Sequence, residues 1–346
     1  MNEVSGRHSA VAAFWDWWGQ RGRGLAESVI GGGPKDDLVA EMSAHIAAIG
    51  AGLQWEFAPG PAGGHVLVVT AAGDPELRAP ARAWLRAAVP APDWSYADLR
   101  QPLPDAADTE LEFAGRRLRL GDFVVAAHRG NTAIDVAVQH PVFMDIGEEE
   151  AAQLTYLALD SFLGEEMVET WIGEVSWPGE PPLDAFPLQH LRTVVADFAA
   201  GFRTAEGEPQ WVVLQGTGPS GSPVLALAQV PLRQITFPLF DTHVAVTVPY
   251  ADRTPDGLPG PGSIEALRGL EDRLSEVLGA DGRVVAHQST TACACCMPMS
   301  TARPRPPTGS PRRPRSGTRA TRRPWSPPTP AGPWSTTSPV EARTRR

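Results

Sequence analysis

Apolar positions recur along this chain at two periods, 3.6 and 2, and their alternation divides it into successive helix-and-sheet units. Val11, Phe14, Trp15, Trp18, Leu25 and Val29 fit one face of an opening helix. Gly31-Gly32-Gly33-Pro34 breaks it, and Asp36 or Asp37 caps a second helix carrying Leu38, Met42, Ile46 and Ile49, closed by Gly50. Leu53, Trp55 and Phe57 alternate as a strand, and residues 65–70 form another. Asp74-Pro75 signals a further helix with Trp84, Leu85 and Val89 on its apolar side, with Pro80 set to delay its start. Trp94-Ser95-Tyr96 reads as a third strand. Residues 1–104 are therefore expected to form one α+β unit.

A second unit is expected over residues 105–205. Residues 111–113, 123–127 and 133–138 read as strands, with Arg129-Gly130-Asn131 turning between the last two. Glu148, Glu149 and Glu150 occupy the first turn of the next helix, where carboxylates complement the helix dipole. Leu154, Leu157 and Phe162 are that helix's apolar positions. A strand over 171–177 follows, then a helix opened by Pro187 with Leu188, Leu191, Val195 and Phe198.

The third unit, residues 206–290, carries the clearest strand pattern. Trp211-Val212-Val213-Leu214 and Pro223-Val224-Leu225-Ala226-Leu227 flank a turn, and Val244, Val246 and Val248 alternate with His243, Ala245 and Thr247. Ser263 is a good N-cap for a helix with Leu267, Leu270, Leu274 and Val277 on one face, ended by Gly279. Residues 282–287 form the next strand. Such a sheet needs at least one more strand and a covering helix, so the unit reads as incomplete.

Composition then changes abruptly near Thr290. The chain has a net charge of −10, yet residues 291–346 hold eleven arginines, one glutamate and no aspartate, about +10, which leaves −20 on residues 1–290. All three cysteines lie beyond the break. A basic Pro/Arg-rich tail of this kind is expected to be disordered. Its origin reads as a shifted frame. Back-translation of residues 291–301, moved by two nucleotides, permits Gly-Leu-Arg-Val-Leu-His-Ala-Tyr-Val-Asp, an alternating strand. The same shift near Trp325 and Trp334 permits Val-Val-Ala-Ala-Asp-Pro-Gly-Trp-Ala-Val-Val.

The acidic body argues against nucleic acid as a partner, because positive charge dominates phosphate-backbone affinity. The Arg-rich tail, a by-product of the shift, does not change that reading. No run of about 18 apolar residues marks a membrane span, and no apolar leader follows Met1, so a cytoplasmic protein is expected. Several motifs fail on their context. Gly216-x-Gly218-x-x-Gly221 is followed by a strand and not by the helix that a dinucleotide site needs. Gly31-Gly32-Gly33-Pro34 lacks the G-K-[ST] of a phosphate loop. Cys293, Cys295 and Cys296 with His287 do not have a usual zinc spacing. No cofactor and no metal site is expected. The aromatic run Phe14-Trp15-Asp16-Trp17-Trp18 reads as core, His45 as a packed histidine, and His128 and His140 as surface residues.

At Phe240-Asp241-Thr242-His243, Pro249-Tyr250, Leu270-Glu271-Asp272-Arg273-Leu274 and Val285-Ala286-His287, the chain resembles the bacterial domain of unknown function 695 family. Its N-terminal half resembles the extension of that family's actinobacterial form. The resemblance implies a small ferredoxin-like α+β domain for the last unit. Members continue with a strand ending in Tyr and, later, an Asp-x-x-Trp segment, both of which only the shifted frame permits here. The family supplies no catalytic residues, and it is loosely similar to protein regulators of ribonuclease E, which act by binding a partner.

Two functions remain open on these residues. The chain lacks H-E-x-x-H, G-x-S-x-G and a phosphate loop, which points to a non-catalytic binding or regulatory module with a protein partner and no membrane association. The alternative is a hydrolase-like enzyme centred on Asp241 and His243. Two apart on a strand, these face one way, so the carboxylate would orient the imidazole. Arg233 and His287 would join them if their strands were neighbours.

Overall fold

The computed structural model describes residues 2–60, 63–218, 221–290, 293–300 and 319–324. The chain divides into two compact units, Met1–Gln210 with Val230–Leu239, and Trp211–Gln229 with Phe240–Arg346. It is an α+β protein, as the two periods imply.

In the first unit, α1 (Asn2–Trp17) runs through a π-turn (Trp18–Gly22) into α2 (Arg23–Ile30), so the expected opening helix is one rod with an inserted residue. α3 (Asp36–Ile49) follows. Lys35 is its N-cap, and both aspartates lie in the first turn, where they favour the dipole without capping it. The strands β1 (Gln54–Pro59), β2 (His65–Thr70) and β3 (Trp94–Ala97) form a sheet in that order, antiparallel then parallel. Asp74 caps a 3-10 turn by accepting from the Glu76 amide at 2.9 Å, which delays α4 to Arg78–Arg86. The aromatic run is core, as expected. Phe14, Trp15 and Trp18 are buried with Trp84 and Trp94, and the Trp15 indole donates to the Trp84 carbonyl. His45 packs against Trp17, with ring centroids 4.5 Å apart.

A second core in the same unit lies under the sheet β8-β7-β6-β9, made of β6 (Val124–Arg129), β7 (Ile134–Gln139), β8 (Ile172–Ser176) and β9 (Phe186–Pro187). The hairpin β4 (Glu110–Phe113) and β5 (Arg116–Arg119) precedes it. Helices α5 (Glu148–Leu163), α6 (Glu165–Trp171) and α7 (Leu191–Ala200) contribute Leu154, Leu159, Trp171, Leu191 and Val195 to this core. Gly164 separates α5 from α6 at φ +80, and a Cβ there would meet Pro102 Cδ at 2.8 Å.

The second unit is a six-stranded sheet in the order β10-β11-β13-β14-β12-β15. Its strands are β10 (Gln210–Thr217), β11 (Pro223–Val230), β12 (Thr242–Pro249), β13 (Gly282–Ser289), β14 (Cys293–Ser300) and β15 (Arg319–Pro324), with α8 (Pro261–Leu278) after β12. Starting from β12, the succession is strand, helix, strand, strand, then β15. β14 lies between β12 and β13, antiparallel to both, and β15 pairs on the far side of β12. That is the split βαβ order of a ferredoxin-like sheet, extended by the β10-β11 hairpin. The strand in the split comes from residues beyond Thr290. The tail outside β14 and β15 falls outside the described residues, and with it the disorder expected there.

Two local expectations for α8 change. Gly260 is its N-cap, and Ser263 is buried, its hydroxyl accepting from the Asp252 amide at 3.1 Å. The Asp252 carboxylate accepts from the Gly262 amide at 2.9 Å, so an aspartate from the preceding loop satisfies the helix start. Val277 is exposed at 73 %, because α8 packs by Leu267, Leu270 and Leu274, which are only half-buried.

Candidate functional site

The first unit concentrates charge where its two sheets' helices approach. Glu165 opens α6 and is buried. The Thr70 hydroxyl at the end of β2 donates to its carboxylate at 2.6 Å, Arg78 Nη2 donates at 2.6 Å, and the Arg100 amide donates at 2.9 Å. Arg78, at the start of α4, is 1 % exposed. Its Nε donates to Glu169 Oε2 at 3.0 Å, its Nη2 also meets Glu169 Oε1, and its Nη1 reaches the Asp98 carbonyl at 3.4 Å. Arg82 closes the seam on the Asp98 carboxylate at 2.5 Å. Burial works against the Glu165 carboxylate, but Arg78 and the three donated hydrogen bonds outweigh it and hold its pKa below the usual value. Burial dominates at Glu169 and pushes its pKa up despite Arg78.

Arg100, whose amide bonds Glu165 in the seam, also lines an open cleft of about 820 Å³. Arg100 stands at its edge. Its guanidinium donates to Glu56 at 3.1 Å and Gln54 at 3.1 Å on β1, and lies 3.5 Å from Asp160 on α5. Leu103, Leu111, Leu120, Tyr156 and Leu157 give the cleft an apolar wall, with Glu149, Gln153 and Ser161 along α5. Asp160 is its most perturbed group. Burial first, then repulsion from Glu165, raises its carboxyl to about 7, against the attraction of Arg100. A carboxyl poised there exchanges a proton near neutrality, which suits either acid–base chemistry or proton-linked binding. The two aliphatic hydroxyls of the cleft are already committed. Ser161 donates to the Leu157 carbonyl at 2.7 Å and Thr109 to the Asp105 carbonyl at 3.1 Å, so neither is set up as an activated nucleophile.

The residues singled out from the sequence lie elsewhere. Asp241 precedes β12, and its Oδ1 accepts from the Thr242 hydroxyl at 3.1 Å. His243 is on β12, directly opposite Met299 of β14 and Arg323 of β15, and burial lowers its pKa. His287 is on β13, which β14 separates from β12, so the two histidine strands are not neighbours. His287 instead meets Glu271 of α8 at 2.8 Å and stacks on Trp211. Arg233 falls with the first unit. Gly216 lies within β10, and Gly218 and Gly221 lie in the turn to β11 with no helix after them, as the hairpin reading required, although residues 219–220 of that turn lie outside the described residues. Cys296 is opposite His287 in the backbone register. Among the described residues, no group of His, Cys, Asp or Glu is placed to hold a metal ion. His128 is exposed, as expected, but His140 is buried at 5 %. Its Nδ1 accepts from the Val142 amide and its ring packs on Phe123, because the strand end turns inward there.

Sequence spacing gave no sign of the cleft. Arg78 and Glu165 of the seam and Arg100 and Asp160 of the cleft come from three separate segments, and each reads locally as one surface charge among many. Among the described residues, no helix is long and apolar enough to cross a membrane. No family model, curated protein or solved structure matches the chain.

Proposed function

We propose that this chain is a non-catalytic binding or regulatory protein of the cytoplasm whose first unit takes a small ligand in the cleft beside Asp160. The observation that carries this reading is the cleft itself. It is preformed, apolar on one wall, and lined by a few fixed polar groups, and its serine and threonine hydroxyls are tied to backbone carbonyls. For the second unit we infer membership of the domain of unknown function 695 family. The ferredoxin-like order around β12 supports that resemblance. The strongly acidic body suits a basic protein partner reading out the bound state.

The test is ligand-observed NMR with a fragment mixture on the intact protein and on Ala152→Trp. Ala152 lines the cleft and is half-buried, so a tryptophan there fills the space without entering the core. Fragments that bind the intact protein and are lost from Ala152→Trp support the reading. Fragments that bind both equally, or none that bind, overturn it.

A second reading has one observation in its favour. The Asp160 carboxyl, raised to about 7, has the poise of a general acid–base group. An Asp160-dependent turnover in a hydrolase screen favours that enzyme reading, and turnover dependent on His243 favours the site around Asp241 and His243.

A further inference from the structure

The cleft's charge pattern selects among ligands. Three carboxylates line it, from Glu56, Glu149 and Asp160, against the single guanidinium of Arg100. That guanidinium is already matched, by Glu56 and Gln54 at 3.1 Å each and by Asp160 at 3.5 Å. An anionic ligand would have to displace one of these carboxylates from Arg100 and then sit beside it, with Glu165 behind. A cation need displace no carboxylate from Arg100: it would share Asp160 with that guanidinium, whose other partners are Glu56 and Gln54, and three carboxylates outweigh the one positive charge. The Asp160 carboxylate is 16 % exposed and turned to the cleft, so it offers a partly desolvated partner. Tyr156 is 47 % exposed and lines the same space, so its ring is within reach of a cationic head, while Leu103, Leu111 and Leu157 offer an apolar surface to a stem.

We propose that the cleft binds an organic cation, an amine carried on an apolar stem, with its ammonium on the Asp160 carboxylate and its stem along the leucine wall. This rests on the reading of the cleft as a ligand site and adds the ligand's charge class. It also gives binding a pH signature. An ammonium favours the ionised carboxylate, so with Asp160 at about 7 the cation competes with a proton. If only the ionised form binds, affinity climbs about tenfold from pH 6 to pH 8 and levels off above. The amine itself stays charged across that range.

Three probes of one stem length separate the outcomes: hexylamine, hexanol and hexanoate, titrated by saturation-transfer NMR against the full chain at pH 6 and pH 8. The expected result is hexylamine binding that strengthens about tenfold at pH 8, that exceeds hexanol and hexanoate, and that Ala152→Trp abolishes. Asp160→Asn should weaken hexylamine at least tenfold at pH 8 and remove its pH dependence. Glu149→Gln, an exposed change that spares the fold, should weaken it by a smaller factor. Hexanol or hexanoate binding as well as hexylamine in the same cleft overturns the cation assignment and leaves the cleft a binding site. Hexylamine binding that ignores Ala152→Trp or Asp160→Asn also overturns it. If none of the three binds, the cleft reading falls together with this inference.

Discussion

Arg78 and Glu165 meet 2.6 Å apart, 1 % and 3 % exposed, at the point where α4 and α6 approach. Neither has water to fall back on. The pair persists because the Thr70 hydroxyl, the Arg100 amide and Glu169 complete its hydrogen bonding. Arg78→Ala removes the cation and leaves a carboxylate buried against Thr70, so it should destabilise the first unit by about 3–5 kcal/mol. Replacing both partners, as Arg78→Met with Glu165→Leu, removes the buried Glu165 charge and leaves only the more exposed Glu169 without its arginine, so it should recover part of that loss. Urea unfolding of the two variants checks it. Equal destabilisation by the single and the double change would mean that packing, and not the uncompensated charge, sets the cost.

Asp160 gives a second prediction, with the opposite sign to an ordinary ion-paired carboxylate. Its folded pKa of about 7 lies above its ordinary 3.8, so the folded state holds a proton that the unfolded chain has released. Unfolding stability from this group is therefore greatest below about 4 and falls as pH rises toward 7, where it levels off. Glu165 runs the other way. Its folded pKa lies below 4.5, so its contribution is present above that value and is lost only in stronger acid. Asp160→Asn should make the protein more stable at pH 8 by roughly 1–3 kcal/mol, by a smaller amount at pH 5, and change little only near pH 4 and below. Parallel wild-type and variant stability curves across this range would sink the assignment.

Gly22 ends the π-turn between α1 and α2 for a steric reason. A Cβ at this position would stand 2.7 Å from Trp17 Cη2 and Cζ3 and 2.9 Å from Trp18 Cε3. Trp17 has little freedom to yield. Its indole donates to Glu41 at 2.8 Å and its ring stacks on His45. Alanine's better helix propensity, about 1 kcal/mol, opposes the clash, but the shift of Trp17 costs more. Gly22→Ala should lose about 1–2 kcal/mol net and alter the near-ultraviolet circular dichroism of the tryptophan cluster. An unchanged spectrum with raised stability would show that the ring moves freely.

How legible each part was in the sequence follows from how local its causes are. The burial of Leu38, Met42 and Ile46 is written in a 3.6 period, and the Glu148–Glu150 acid run in the dipole of α5; both appear as expected. The π-turn was not legible, since it depends on Gly22 lying under the Trp17 ring, nor was the capping of α8 by Asp252, which acts across 10 residues of loop. The cleft was the least legible. Its Arg100–Asp160 pair and the Thr70–Glu165 bond join segments that only the packing of two cores brings together, and nothing periodic marks them. The tail was legible as a break in composition, but not as the source of a strand.

That strand, β14, yields the last prediction. It lies in the middle of the second unit's sheet, paired on both sides, yet position 298 is proline, which has no N–H to give a ladder. The pairing shows the consequence. Against β13 the register slips between Val284 and Ala286, beside the Val284–Pro298 pair, and against β12 the pairs stop at His243–Met299 and resume at Val246–Cys296. Natural central strands avoid proline for this reason. The two-nucleotide shift would supply what the ladder lacks, since it permits an alanine that takes two bases of this codon, within a Val-Leu-His-Ala-Tyr run. Pro298→Ala in the chain as printed should therefore restore a ladder donor and raise the second unit's Tm by about 2–5 °C, despite the looser unfolded chain that alanine brings. The full shifted segment should raise it further. Thermal unfolding of the three proteins, followed by Trp211 fluorescence, measures this, and resequencing the gene across codons 285–346 tests the cause. A gene that reads as printed, with a Tm that falls on Pro298→Ala, would mean that the translated strand is the one this sheet is built to hold.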